Sequence, residues 1–171
     1  RMSLRVTIGI DPGLSGACSL LIDGEPGGCY DMPTRKVGDW NEVDAAALAL
    51  YLRAVRGANA GAYVSACLEK VGARPGDGGT SAFRFGEGSG VIRGVLECLG
   101  IPYTRAIPAV WKRRFGLLKT DKDAARLLAI QRFPSASHLL ARKKDQGRGD
   151  ALWLALWHDS TENGSRNMRV A

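Results

Sequence analysis

From Leu4 to Ile10 the chain is apolar and β-branched, and Asp11-Pro12-Gly13 stops the run, because proline cannot continue a ladder and glycine permits a tight turn. The pattern predicts a strand with an acid at its end. Ala17 to Ile22 predicts a second strand, turned by Asp23-Gly24 and Pro26-Gly27-Gly28, and Cys29 to Met32 a short third, so the first three elements read as an antiparallel meander. Asn41 offers a helix N-cap with Glu42 and Asp44 behind it, and Val43, Ala46, Ala47, Leu50 and Val55 approximate helical spacing until Gly57. Tyr63 to Leu68 reads as a buried strand ending at Glu69-Lys70, followed by a glycine-rich loop from Gly72 to Gly79. Between Ser81 and Leu99, Phe83, Val91, Ile92, Val95 and Leu99 recur at helical spacing although Gly86, Gly88, Gly90 and Gly94 interrupt them. Each such glycine weakens a helix by about 1 kcal/mol relative to alanine, so a packing reason for them is expected. Ile101 to Ile107 reads as a fifth strand, and Ala109 to Phe115 as a short basic helix. Thr120 caps a helix through Arg132 that Phe133-Pro134 ends, and an Arg- and Lys-rich loop leads to a last helix, about Arg148 to Trp157.

The order βββαβαβα, with an extra basic turn, predicts an α/β fold: one mixed sheet flanked by helices, in the ribonuclease H-like topology. That is analogy at the level of the fold and assigns no activity. Residues 1–171 read as a single domain, with 159–171 as a flexible tail. The charge, 24 Lys+Arg against 17 Asp+Glu for a net +7, is a prior for a polyanion-binding face. No apolar run approaches the ~18–20 residues of a membrane span, and the N-terminal residues lack a signal-peptide pattern, so a soluble cytoplasmic protein is expected. Cys18, Cys29, Cys67 and Cys98 lack zinc-ligand spacing and lie in or beside apolar stretches, which predicts reduced, buried thiols.

Three acids stand at element ends: Asp11 after the first strand, Glu69 after the fourth and Asp150 at the start of the last helix. In this topology the two strands are neighbours and the last helix crosses the same end of the sheet, so three carboxylates can converge. Clustered carboxylates repel, and a hard dication such as Mg²⁺ or Mn²⁺ keeps them ionised. A pair of such ions suits phosphodiester cleavage. Singly, each acid also reads as an ordinary turn or helix-start residue.

Ile8-Gly-Ile-Asp11-Pro-Gly13, Leu68-Glu69-Lys70 and Gly147-Arg-Gly-Asp150-Ala-Leu152 resemble the three acidic motifs of the RuvC family of Holliday-junction resolvases, particularly its phage-encoded and chloroplast members. Phe85-Gly86, Pro108 to Trp111-Lys112, Phe115-Gly116-Leu117 and Thr120-Asp121-Lys122 resemble the intervening blocks, and the likeness spans roughly residues 4–158. It implies a homodimeric crossover junction endodeoxyribonuclease that cuts a four-way DNA junction symmetrically, using Mg²⁺ or Mn²⁺ held by Asp11, Glu69 and Asp150, with no nucleotide cofactor and no membrane. Bacterial members carry a second acid three residues before the last, where this chain has Gly147. The fourth position therefore stays open between Asp145, Gln146 and water.

The basic clusters are the expected DNA contacts: Lys112, Arg113, Arg114, Lys119 and Lys122, then Lys143 and Lys144 with Arg142 beside them. Lys112 and Lys122 match basic positions of the family. Arg74, Phe83 and Arg84 follow the Glu69 loop, where side chains could enter an open junction, although Phe83 also reads as core. Trp153 and Trp157 share a helix face and read as core. The alternatives are a nuclease acting on other branched DNA or RNA–DNA hybrids, and a non-catalytic nucleic-acid-binding dimer. An actin-like ATPase needs two lobes, and this length supplies one.

Overall fold

The computed structural model describes residues 3–73 and 75–167. In chain order β1 (Arg5–Asp11), β2 (Ala17–Ile22) and β3 (Glu25–Asp31) form the meander; β4 (Thr34–Val37) and β5 (Trp40–Val43) form a separate hairpin. Then come α1 (Ala45–Ala58), β6 (Tyr63–Glu69), α2 (Gly79–Cys98), β7 (Tyr103–Ala106), α3 (Pro108–Arg114), α4 (Ala124–Arg132), two 3-10 segments (Pro134–Leu140 and Lys143–Asp145) and α5 (Gln146–Asn167). The sheet runs β3-β2-β1-β6-β7, antiparallel across the meander and parallel from β1 through β6 to β7.

Strand alternation assigns the two faces. Val6, Ile8 and Ile10 of β1, with Ala66 and Leu68 of β6, pack under Leu48, Leu52 and Val55 of α1 and Ile92 and Leu96 of α2. The intervening residues turn to the other face, where α5 lies with α4 and with α3, whose Trp111 is fully buried, over Leu21, Cys67 and Ala106. There α5 crosses β1 closely: a Cβ on Gly9 would collide with the Ala151 carbonyl oxygen and stand 2.6 Å from the Ala155 nitrogen. The same interface buries His158, whose ring nitrogens meet Thr104 Oγ1 at 2.9 Å and Ser65 Oγ at 3.1 Å.

Most strands and helices lie where the pattern places them, but Pro26-Gly27-Gly28 is no turn: β3 runs through it from Glu25, turned only at Asp23-Gly24, with a register shift opposite Leu20 and Leu21. The pattern does not predict the β4–β5 hairpin either: Asn41 belongs to β5, and α1 is capped three residues later by Asp44, whose carboxylate accepts from the Ala47 N–H at 3.0 Å. The apolar face of α1 is accordingly Leu48, Leu52 and Val55, and Leu50 is 67% exposed. Thr120 caps no helix; its hydroxyl donates to Leu117 O, and α4 begins at Ala124 behind Asp123. The last helix continues through Asn167, held partly by Asp159 against Arg5 at 3.4 Å, so residues 159–167 are helix instead of tail; 168–171 lie outside the described residues. Cys18 and Cys67 are buried free thiols as expected, but Cys29 is half-buried and Cys98 exposed at the end of α2.

Candidate active site

Asp11 follows Thr7 and Gly9 on the α5 face of β1, and Glu69 follows Ser65 and Cys67 on the same face of β6. The parallel register pairs Gly9 with Cys67 and Ile10 with Leu68, so the next step along both strands brings Asp11 level with Glu69. Asp150, in the first turns of α5, directly precedes the Ala151 that rests on Gly9. Two further glycines allow this seating. A Cβ on Gly147 would stand 2.5 Å from Ser15 O, and one on Gly149 2.9 Å from Arg126 Cα.

The three acids feel one another. Burial pushes the Asp150 carboxyl up to about 7; the Asp11 charge adds to the rise, Lys112 opposes it, and Glu69 raises it further. Asp11 is likewise raised, chiefly by burial, against the Gly13 N–H, which donates to its Oδ1 at 3.2 Å, and Lys112. Glu69 Oε1 accepts from the indole N–H of Trp111 at 3.0 Å. Among the described residues no group of three or more His, Cys, Asp or Glu side chains is drawn closely enough together to hold a metal ion. In kind, however, the donors fit a hard dication, being carboxylate oxygens whose mutual repulsion a cation relieves.

Asp145 is not with them. Its side chain is buried against Arg142 and Arg148: the Arg142 backbone N–H donates to Oδ2 at 2.8 Å, the Arg142 Nη2 to Oδ1 at 2.7 Å, and Arg148 Nε stands 3.8 Å away. Burial pushes this carboxyl up, but the Arg142 bonds and the two guanidiniums outweigh it and hold it below the usual carboxylate range. Of the three candidates for the fourth position, Asp145 is thus placed in an ion-pair network that continues from Arg148 to Asp31 on β3 at 2.6 Å, while Gln146 lines the cleft that Asp11 and Asp150 share. Helix geometry explains the placement, since α5 starts at Gln146 and leaves Asp145 in the preceding 3-10 turn.

Asp11 and Asp150 open into a cleft of about 530 Å³ whose walls carry Ser15, Lys112, Lys119, Thr120, Asp121, Lys122, Lys144 and Gln146. Four of the predicted DNA-contact lysines therefore surround two of the acids. Gln146 lines the cleft and its amide reaches Asp123 Oδ1 at 3.5 Å. Arg113, Arg114 and Lys143 are exposed beyond the cleft lining, and Arg74 lies outside the described residues. Phe83 is 71% exposed on α2 and Arg84 stacks on Trp40, so neither is core. Trp153 is buried and Trp157 half-buried, as expected. The Trp111 indole carries no signal in the sequence as a carboxylate partner, because only the fold aims it at a carboxylate 42 residues away.

No family model matches the chain. Over 84 residues, 48% of its length, it is 36% identical to the chloroplastic Holliday junction resolvase MOC1 of Chlamydomonas reinhardtii, of which it spans 10%. Among solved structures it is similar to T. thermophilus RuvC in complex with a Holliday junction substrate, at a TM-score of 0.56 and 16% identity over 91% of this chain and 92% of that one. The Thermus thermophilus RuvC structure matches at 0.51 and 16% identity, over 94% and 96%. With its three-stranded meander, then helices alternating with β6 and β7, and α3, α4 and α5 closing the chain, the β4–β5 hairpin being an insertion, the chain has the ribonuclease H-like fold of RuvC.

Proposed function

We propose that this chain is a RuvC-family, structure-selective endonuclease that resolves four-way DNA junctions by symmetric hydrolysis of a phosphodiester. What supports the reading is that Asp11 and Asp150 line a cleft walled by Lys112, Lys119, Lys122 and Lys144, and that Asp11 and Glu69, from two neighbouring strands of a RuvC-like fold, both raise the Asp150 carboxyl. Asp11, Glu69 and Asp150 would hold Mg²⁺ or Mn²⁺. Bound there, such ions supply an activated water and stabilise the leaving oxygen.

The chain's own groups do the rest. The Gly13 N–H and the Trp111 indole each engage one carboxylate oxygen, of Asp11 and Glu69, which restrains both side chains. Lys112 moderates the negative charge at Asp11 and Asp150 while the protein is free of DNA, and the remaining lysines neutralise phosphates along the cleft. Symmetric cutting requires a two-fold assembly. The α2 face that carries Phe83, Gly86, Gly90 and Gly94 supports one: among the described residues nothing from another element lies within 4 Å of a Cβ at any of these three glycines, which leaves room for a second backbone to approach.

The test is cutting of an immobile four-way junction, a matched duplex and an RNA–DNA hybrid, each with Mg²⁺, Mn²⁺ or EDTA. Paired, symmetric, metal-dependent nicks in the junction alone are expected. Cutting of the hybrid alone would move the reading to the alternative nuclease, and junction binding without cutting under any metal to a non-catalytic binder.

A further inference from the structure

A second groove, of about 550 Å³, lies between the β4–β5 hairpin and the N-terminal turns of α2. Trp40 on the hairpin is 44% exposed, and the Arg84 guanidinium stands 4.2 Å from its ring centroid. Pro12 and Leu14 form the rim of this groove, while Asp11 and Ser15 belong to the acid cleft, so the short β1–β2 turn is a ridge shared by both. The groove also lies on a different side of α2 from the glycine face. At 100° per residue Ser81, Arg84, Phe85 and Gly88 cluster on one side and Phe83, Gly86 and Gly90 on the other.

We propose that this groove receives an unpaired nucleobase of the DNA strand whose backbone lies in the acid cleft, stacked on Trp40 and Arg84; the inference rests on the DNA-cleaving reading above. The chemistry selects a base over a phosphate. Arg35 is already paired with Glu42 at 2.7 Å, and Glu42 and Glu87 both line the walls, so a second phosphate would meet acids. A base brings no charge, a flat apolar face for the indole, and polar edges for Asn41 and Ser81. Base–aromatic stacking tolerates any sequence, and an indole with a guanidinium against it offers a wide platform for it. The shared ridge explains why the base would come from a nucleotide adjoining the one at the acids.

The experiment is a coupling cycle with junction DNA in EDTA. A single abasic residue is walked through the nucleotides next to the cut phosphate, and binding is measured for wild type, Trp40→Phe and Trp40→Ala, with tryptophan fluorescence as a second readout. Trp111 and Trp153 are buried and Trp157 half-buried, so quenching on binding reports mainly Trp40. The expected result is quenching by intact junction, lost at one abasic position where wild-type binding also falls about tenfold or more. Trp40→Ala should bind intact and abasic junctions equally, and Trp40→Phe should fall between. Arg84→Gln repeats the cycle if Trp40→Ala does not fold. Losses that simply add, or quenching indifferent to every abasic position, overturn the groove while leaving a junction-cutting enzyme intact. Dissociation of a dimer on Trp40→Ala without such coupling assigns the groove to a second copy and also overturns the proposal. Absence of any junction binding overturns both readings.

Discussion

Asp11, Glu69 and Asp150 come from chain positions 58 and 81 residues apart, and under the proposed function changing each one's charge separates chemistry from binding. Asp11→Asn, Glu69→Gln and Asp150→Asn should each abolish junction cutting in Mg²⁺ while gel-shift affinity in EDTA changes less than about threefold, because the phosphate contacts belong to the lysines. Near-normal cutting by any one variant removes that residue from the site. Asp145 should behave in the opposite way. Its folded carboxyl titrates below its unfolded value, so its network stabilises the fold above about pH 4 and loses that contribution as pH falls through the lowered native value. Asp145→Asn should therefore lower stability by about 1–3 kcal/mol at neutral pH. It should also flatten the acid limb of the stability profile in urea unfolding, and its cutting rate per folded molecule should stay close to wild type.

Between elements, the decisive contact is α5 on β1. Gly9→Ala forces a methyl into the Ala151 carbonyl, a backbone atom that cannot swing aside, and should destabilise the protein by about 3 kcal/mol in urea unfolding. Gly90→Ala on the open face of α2 meets nothing from another element among the described residues and has ordinary helical backbone. In an isolated protomer it should stabilise the helix by about 0.5–1 kcal/mol. If that face is the dimer contact, Gly90→Arg should shift sedimentation from dimer to monomer at micromolar concentration. Unchanged sedimentation of Gly90→Arg would assign dimerisation to another surface.

Across the whole molecule, the charge of +7 matters through its placement around the cleft. Lys112→Gln with Lys122→Gln should lower the magnitude of the slope of log K against log salt by roughly 2, at about 0.9 per duplex phosphate contact. The three carboxylate variants should leave that slope unchanged. Glutamine keeps most of each aliphatic stem, so a loss of packing does not pass for a loss of binding. Coincident slopes for wild type and the double variant would take these lysines off the DNA path and leave Lys119, Lys143 and Lys144 as the leading phosphate contacts.

What the amino-acid order determined by itself is what short-range physics controls. Turn chemistry at Asp11-Pro12-Gly13 ends β1 at its acid, and the apolar run from Tyr63 to Leu68 ends at Glu69, whereas only the parallel register of β1 and β6 puts the two acids on one face. The hairpin and the true start of α1 were hidden, because Asn41 and Asp44 are both good caps, and only the pairing of Thr34 with Val43 decides between them. Asp145 was illegible for a related reason: its distance round the helix from Asp150 depends on where α5 begins, and two arginines compete for its charge. Long-range packing alone seats Asp150 against β1, since that requires Gly9, Gly147 and Gly149 to meet three different partners at once. The same packing brings the Trp111 indole to Glu69 and the Trp40 ring to Arg84. Each of those contacts joins residues dozens of positions apart, which no local pattern encodes.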